Sequence, residues 1–327
     1  MTRAWLSIGR SIARSIGRPM GRAACAGLFA ACALVAAAQA AEAPKCPPPL
    51  QVLATTAPPR DRGLLWRVTK DGRSSYLFGT LHVGKPAWRR FGPQTTAALR
   101  ASDLLALEID PSDPELLKAM AELRPPQELP PALHERLMRA YERACVAADS
   151  MAAQHQVLQV TSLTVLEARW FGMDPGHGLE NSLSAQARSM GRRVISLETA
   201  AQQTAALIPD DEAEARSVLE QGLQQLEDQS ARRVLQRLAI AWEGGDIAAL
   251  EDYEKWCECI TSEADRAFLR QINDERNPAL ADGIEAQHRR GLRVFAAVGA
   301  LHMTGAKSLP ALLAQRGFRV ERIGFAP

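Results

Sequence analysis

The chain has 327 residues, with 39 Lys+Arg, 37 Asp+Glu and six His, for a formal net charge of +2. Such a near balance lacks the basic excess that a general nucleic-acid or anionic-membrane binder needs. The length suits one large α/β domain or two smaller ones.

The first 22 residues carry Arg3, Arg10, Arg14, Arg18 and Arg22 and no acid. An Ala/Leu/Val-rich run from Ala23 to Ala38 follows, and Ala38-Gln39-Ala40 is a small-x-small cleavage site. Residues 1–40 therefore read as a cleavable secretory signal peptide. A spanning helix wants roughly 20 strongly apolar residues, and this run is shorter and Ala-rich. Phe29-Ala30-Ala31-Cys32 faintly resembles a lipidation box but falls too early in the run. Cleavage removes five arginines and no acid, so the mature charge is 34 minus 37, or −3. The expected location is periplasmic, with a lipid-anchored or secreted form as alternatives, and no later segment is apolar enough to cross a bilayer. Four cysteines stay in the mature chain: Cys46, Cys145, Cys257 and Cys259. An even number in an exported protein predicts disulfides. A C-x-C ring is strained, so Cys257 and Cys259 are expected to pair with Cys46 and Cys145 in some order.

Residues 41–62 form a Pro/Ala-rich extended lead-in. Leu64–Val68 predicts a strand, Asp71-Gly72 a tight hairpin, and Ser75–Phe78 its partner strand. Pro93–Ala101 predicts a helix. Leu104–Ile109 is an apolar run with one acid at its end, which fits a buried strand. The pattern from 112 to 190 is helical, with breaks at Pro125, Pro126, Pro130 and Pro131. Val194–Leu197 reads as another buried strand, with Glu198 opening a helix. Three- and four-residue spacing of Leu219, Leu223, Leu226, Leu235, Leu238 and Trp242 predicts one long helix over Asp210–Trp242. A further helix is expected over about 262–288, then a strand Arg293–Val298, a helix near Leu309–Gln315 and a closing strand Phe318–Ile323. Residues 63–327 are thus expected to form a single α/β domain, α+β in its mixture, around a mixed sheet with a large helical insertion at about 112–290.

Two segments echo each other. Phe78-Gly79-Thr80-Leu81-His82 and Val298-Gly299-Ala300-Leu301-His302 each end a hydrophobic strand in Gly-x-Leu-His. Glycine permits a sharp turn or a close approach at a strand end. Each histidine then sits where α/β sheets place their sites. If the two ends face each other, His82 and His302 make a two-histidine metal site or an acid/base pair. The alternative is that each His caps its strand through nearby backbone. Glu108 ends a run that wants burial, and a buried carboxylate needs a cation to answer it. Glu198 stands in a similar place, or serves as a first-turn acid. Arg276 is an oxyanion or carboxylate clamp, or a solvated helix charge. His134, His155 and His288 are expected at the surface.

These marks, with Leu107-Glu108-Ile109-Asp110, Leu197-Glu198-Thr199 and Glu275-Arg276-Asn277, resemble the TraB/PrgY/GumN family, which includes the Tiki proteins. The resemblance covers roughly Leu64 to Ile323, and Trp256-Cys257-Glu258-Cys259 is similar to the exported bacterial GumN-type branch. It implies a mixed α/β fold related to the erythromycin-esterase and haem-binding ChaN groups. Through the Tiki relatives it also implies metal-dependent peptidase activity. At Gly178-Leu179-Glu180 the family often has Asp where this chain has Glu180.

The reading is an exported metal-dependent hydrolase acting on a peptide or protein. His82, His302 and Glu108 would hold a divalent ion, which for His plus carboxylate is Zn, Mn, Fe or Co. Glu108 would be third ligand or general base, Arg276 would steady the oxyanion and Glu198 would orient a ligand. The rival is a non-catalytic periplasmic binding or accessory protein for a peptide, a haem-like ligand or a polysaccharide-related partner. The absence of an H-E-x-x-H helix keeps that rival in play.

Overall fold

A computed structural model of the chain describes residues 46–51 and 57–325. The basic segment, the apolar run and the cleavage site lie outside the described residues. No helix among the described residues is long and apolar enough to cross a membrane.

The fold is mixed α/β. Its strands are β1 (Leu64–Lys70), β2 (Arg73–Thr80), β3 (Leu104–Leu107), β4 (Arg193–Ser196), β5 (Val294–Gly299) and β6 (Arg319–Ile323). They form one sheet in the order β4-β3-β5-β2-β1-β6. β4, β3, β5 and β2 run parallel, while β1 is antiparallel to both β2 and β6. β3 is buried at every position and β5 at all but its last, as continuous apolar strands inside a parallel sheet should be. The β1–β2 hairpin turns on Asp71 and Gly72, both at positive φ, which is the backbone of a two-residue primed turn.

The core has two parts. One surrounds the sheet and includes Phe78, Trp88, Leu105, Trp242, Leu280 and Phe295. The other is helical and joins Leu133, Leu137, Tyr141, Val160, Leu219 and Leu223. Helices Pro131–Ala144, Gln156–Leu166 and Glu212–Glu227 supply most of the second.

Several expectations need correction. The long helix is two, Glu212–Glu227 and Ser230–Glu243. Gln229 takes a left-handed φ of 61°, and the Asp228 side chain accepts from the Ser230 N–H at 2.8 Å, so the chain is capped afresh. The next helical stretch also divides, into Glu263–Ile272 and Asn277–Arg289. Pro278 lacks the N–H that a continuing helix would use, and it sits instead in the first turn of the second helix. Glu198 does not open a helix. Thr199 caps Ala200–Leu207 through a capping box with Gln202. His155 and His288 are buried, not superficial. His288 reaches Ser75 Oγ through Nδ1 and the Lys70 carbonyl through Nε2, and these partners compensate its burial.

The disulfides also differ from expectation. Cys46 pairs with Cys145, and Cys257 pairs with Cys259. The turn around Glu258, closed by Ile260 N–H on the Cys257 carbonyl, brings Cα of 257 and 259 to 5.0 Å. That lies inside the range a disulfide spans. Cys145 ends Pro131–Ala144 in the left-handed region and meets Cys46 at a Cα separation of 5.7 Å.

Candidate catalytic centre at the strand ends

Register decides the site. Thr80 of β2 pairs with Gly299 of β5, so the two Gly-x-Leu-His turns leave the sheet side by side. Leu107 pairs with Ala297 on one side and Ser196 on the other, which places Glu108 level with the end of β5. Beyond the strands, Glu198 N–H donates to the Glu108 carbonyl at 3.0 Å. His82, Glu108, Glu198 and His302 therefore gather at the carboxyl ends of four parallel strands.

The helix break at Pro278 completes the group by setting Arg276 at the start of Asn277–Arg289. Arg276 donates through Nε and Nη2 to both oxygens of Glu198, at 2.9 and 2.6 Å, in a fork-on-carboxylate pair. Its Nη2 also donates to Glu108 Oε2 at 2.5 Å and to Gln203 Oε1 at 3.1 Å. Nη1 donates to the Ile272 carbonyl at 2.8 Å and lies 3.5 Å from His302 Nε2. Burial opposes the charge on Arg276, but Glu198 and Glu108 outweigh it and raise its pKa.

Glu108 Oε1 accepts the Gly299 N–H at 2.6 Å. A Cβ at Gly299 would stand 3.3 Å from that oxygen and 3.4 Å from His302 Cδ2, so the strand-end glycine makes room for the carboxylate. Burial pushes Glu108 up, but His302, Arg276 and His82 pull it down to about 2. Burial in turn holds His302 down to about 4. His302 is then neutral at pH 7, and Arg276 becomes the buried cation that keeps Glu108 ionised there.

The tautomer of His302 follows from its neighbours. Asn277 Nδ2 donates to the Lys307 carbonyl at 2.9 Å, which turns Asn277 Oδ1 toward His302 Nδ1 at 2.7 Å. Nδ1 carries the proton, and Nε2 presents a lone pair 3.9 Å from Glu108 Oε1. His82 is arranged alike. Its Nδ1 stands 3.1 Å from Glu180 Oε1 as an ion-pair contact, outside the angles of a good hydrogen bond. Glu180, the nearest charge, raises the His82 pKa. The His82 side chain is 65% exposed, so solvent screens that pull and the centre opens to water on this side. Backbone contacts pin this turn: Leu179 N–H donates to the Leu81 carbonyl, and Gly84 pairs with Asp174.

Of the residues picked from sequence, the structure brings His82, Glu108, Glu198, Arg276 and His302 to one place. Sequence reasoning missed Asn277, Gln203 and the pairing of Glu180 with His82. Glu180 did carry a signal, as an acid in the first turn of Leu179–Ser189 just after a Gly-rich bend.

A family model described as the TraB/PrgY/gumN family matches residues 64–322. The chain belongs to the TraB/PrgY/gumN family. The matched span runs from the start of β1 into β6 and so contains all of this centre. No curated protein and no solved structure matches the chain. The kinship of this family member with erythromycin-esterase and ChaN folds thus stays an implication of the resemblance alone.

Among the described residues, no group of three His, Cys, Asp or Glu side chains is arranged to hold a metal ion. The donor types gathered here, two imidazoles and carboxylates, are ones that bind divalent ions. His302 is anchored through Nδ1 by Asn277, with Arg276 Nη1 3.5 Å from its Nε2, and His82 stands beside Glu180 with its side chain largely exposed. An imidazole held through one nitrogen is a common ligand arrangement. Glu108 and Glu198 share Arg276 there, while Glu180 faces His82.

Proposed function

We propose that this protein is an exported metal-dependent hydrolase, a peptidase of the Tiki type. The observation that carries the reading is the matched pair of histidines at adjacent strand ends. His302 Nδ1 is held by Asn277, His82 Nδ1 makes an ion-pair contact with Glu180, and the carboxylate of Glu108 stands beside them. His82 and His302 would hold the divalent ion, with Glu108 as third ligand or general base. When bound, the ion would polarise a carbonyl and lower the pKa of a water.

The protein's own groups do the positioning. Asn277 and Glu180 orient the imidazoles. Arg276 holds Glu108 and Glu198 in place, and its nitrogens are committed within the protein. It therefore acts as a positioning residue before it can serve as an oxyanion clamp. The open side at His82 admits the substrate.

Elemental analysis of the purified mature protein, with thermal shift against Zn and Mn, tests this reading. The expected result is a bound ion, or stabilisation on adding one, that His302→Ala and His82→Ala both remove together with peptide hydrolysis. Absence of uptake at every pH tried would favour the binding or accessory role. Export is tested by N-terminal sequencing, which should find the mature chain starting near Ala41.

A further inference from the structure

The disulfide Cys257–Cys259 sits away from the strand ends, in an environment of its own. Cys257 is 5% exposed. Cys259 is half-buried and lines a cavity of about 240 Å³ together with Val160, Val218, Phe268 and Ile272. The Tyr253 hydroxyl lies 3.2 Å from Cys257 Sγ and 3.3 Å from Cys259 Sγ. Neither bonded sulfur carries a hydrogen, so the tyrosine is the donor to both. Cys257 Sγ also accepts the Cys259 backbone N–H at 3.3 Å. Cys259 thus lines a mainly apolar cavity with Gln221 and Asp265 at its polar side. The enclosed Cys257 Sγ has one more donor, the Cys259 N–H, beside the tyrosine that both sulfurs share.

That asymmetry is what an exchanging disulfide needs. Exchange is fastest when the attacked sulfur is reachable and the leaving thiolate is stabilised. Hydrogen-bond donors lower a thiol's pKa and make it a better leaving group. We propose that Cys257–Cys259 is a thiol–disulfide exchange site for a cysteine-bearing apolar peptide. The incoming thiolate attacks Cys259 Sγ and forms a mixed disulfide. The Cys257–Cys259 bond breaks, and its electron pair goes to Cys257 as a thiolate held by Tyr253 O–H and Cys259 N–H. Two routes complete the step. Cys257 can return to Cys259 and release the peptide thiol. Alternatively, a second thiol of a dithiol partner attacks the partner's own sulfur. Cys259 then leaves, the partner is oxidised to a disulfide, and its two protons pass to Cys257 and Cys259.

Two further features support the assignment. Burial pushes the Tyr253 hydroxyl up to about 12, so it keeps its proton for donation at neutral pH. The loop that opens spans a sequence separation of 2, against 99 for Cys46–Cys145. Opening so short a loop releases little chain entropy, so the fold can survive the event. The surrounding turn is held independently of the sulfurs by the Arg233–Glu258 ion pair and by Gln221 Nε2 on the Cys259 carbonyl.

The test equilibrates the mature protein in graded glutathione buffers, quenches with an alkylating agent and locates each modification by mass spectrometry. Glutathione and a short peptide with Cys between leucines serve as probes. Cys257 and Cys259 should become alkylated while far-UV circular dichroism stays native, and Cys257→Ser should trap the probe on Cys259. Tyr253→Phe should shift the equilibrium toward the oxidised form by roughly three- to ten-fold. In Cys259→Ser, the alkylation rate of Cys257 against pH should give a thiol pKa below the ordinary value of about 8.5; this measurement decides the question if Tyr253→Phe fails to fold. The proposal is overturned if the pair opens only when the fold melts, if Cys257→Ser takes up neither probe, or if Cys257 in Cys259→Ser titrates at or above the ordinary value.

Discussion

Asn277 Oδ1 stands 2.7 Å from His302 Nδ1, and Asn277 Nδ2 is spent on the Lys307 carbonyl. The amide cannot flip without losing both bonds, so it fixes which ring nitrogen of His302 is free. Asn277→Leu removes the acceptor and leaves a carbonyl unpaired. Zinc affinity by calorimetry should fall roughly 10–100-fold, and urea unfolding should report a loss of about 1–3 kcal/mol. Unchanged zinc affinity would show that Asn277 does not orient His302.

Arg276 is the buried cation between Glu108 and Glu198. Arg276→Met leaves two carboxylates facing each other without the buried cation they share. Removing one partner of a buried ionic group costs about 3–5 kcal/mol, which chemical denaturation should register. Adding Glu198→Gln to that variant should restore part of the loss, since it deletes one of the orphaned charges. No recovery would mean that the arginine stabilises through packing alone.

Asp103 offers a pH signature away from the site. It accepts from the Arg293 side chain and backbone N–H, and that pairing holds its carboxyl at about 2, below the ordinary 3.8. The folded state therefore binds this proton less readily than the unfolded state. The stabilisation is fully present above the ordinary value and is lost as pH falls through roughly 4 to 2. Asp103→Asn should be less stable than wild type at pH 7, and the difference should close as both are titrated to pH 2. A gap that does not narrow would exclude the ionic contribution.

The two disulfides should matter unequally to stability. In the chain-entropy picture, Cys46–Cys145 is worth roughly 4–5 kcal/mol and Cys257–Cys259 roughly 1–2 kcal/mol, from their loop lengths. Replacing each pair with serines and comparing melting temperatures checks the ranking. Equal shifts would show that native-state contacts, and not loop closure, set their contribution.

Much of this protein was legible in its sequence. Asp71-Gly72 specified the hairpin because two positive φ values in succession suit few other pairs. The apolar run at Leu104–Ile109 announced a buried strand, and that at Arg293–Val298 a strand. The repeated Gly-x-Leu-His marked two strand ends, and an acid closing a buried strand marked Glu108. All of these are local signals, carried by periodicity or by the conformational freedom of one residue. The tertiary structure decided the rest. Strand order set β5 beside β2 and so brought His82 and His302 to one edge. No periodicity encodes which strands pair across more than two hundred positions. The helix breaks at Gln229 and before Asn277 depend on capping and on a proline whose effect competes with an otherwise continuous apolar stripe, and the second break delivers Arg276 to the carboxylates. The partnership of Glu180 with His82, of Asn277 with His302, and of Cys46 with Cys145 arises only when separate segments meet. It is set by the packing that closes those distances.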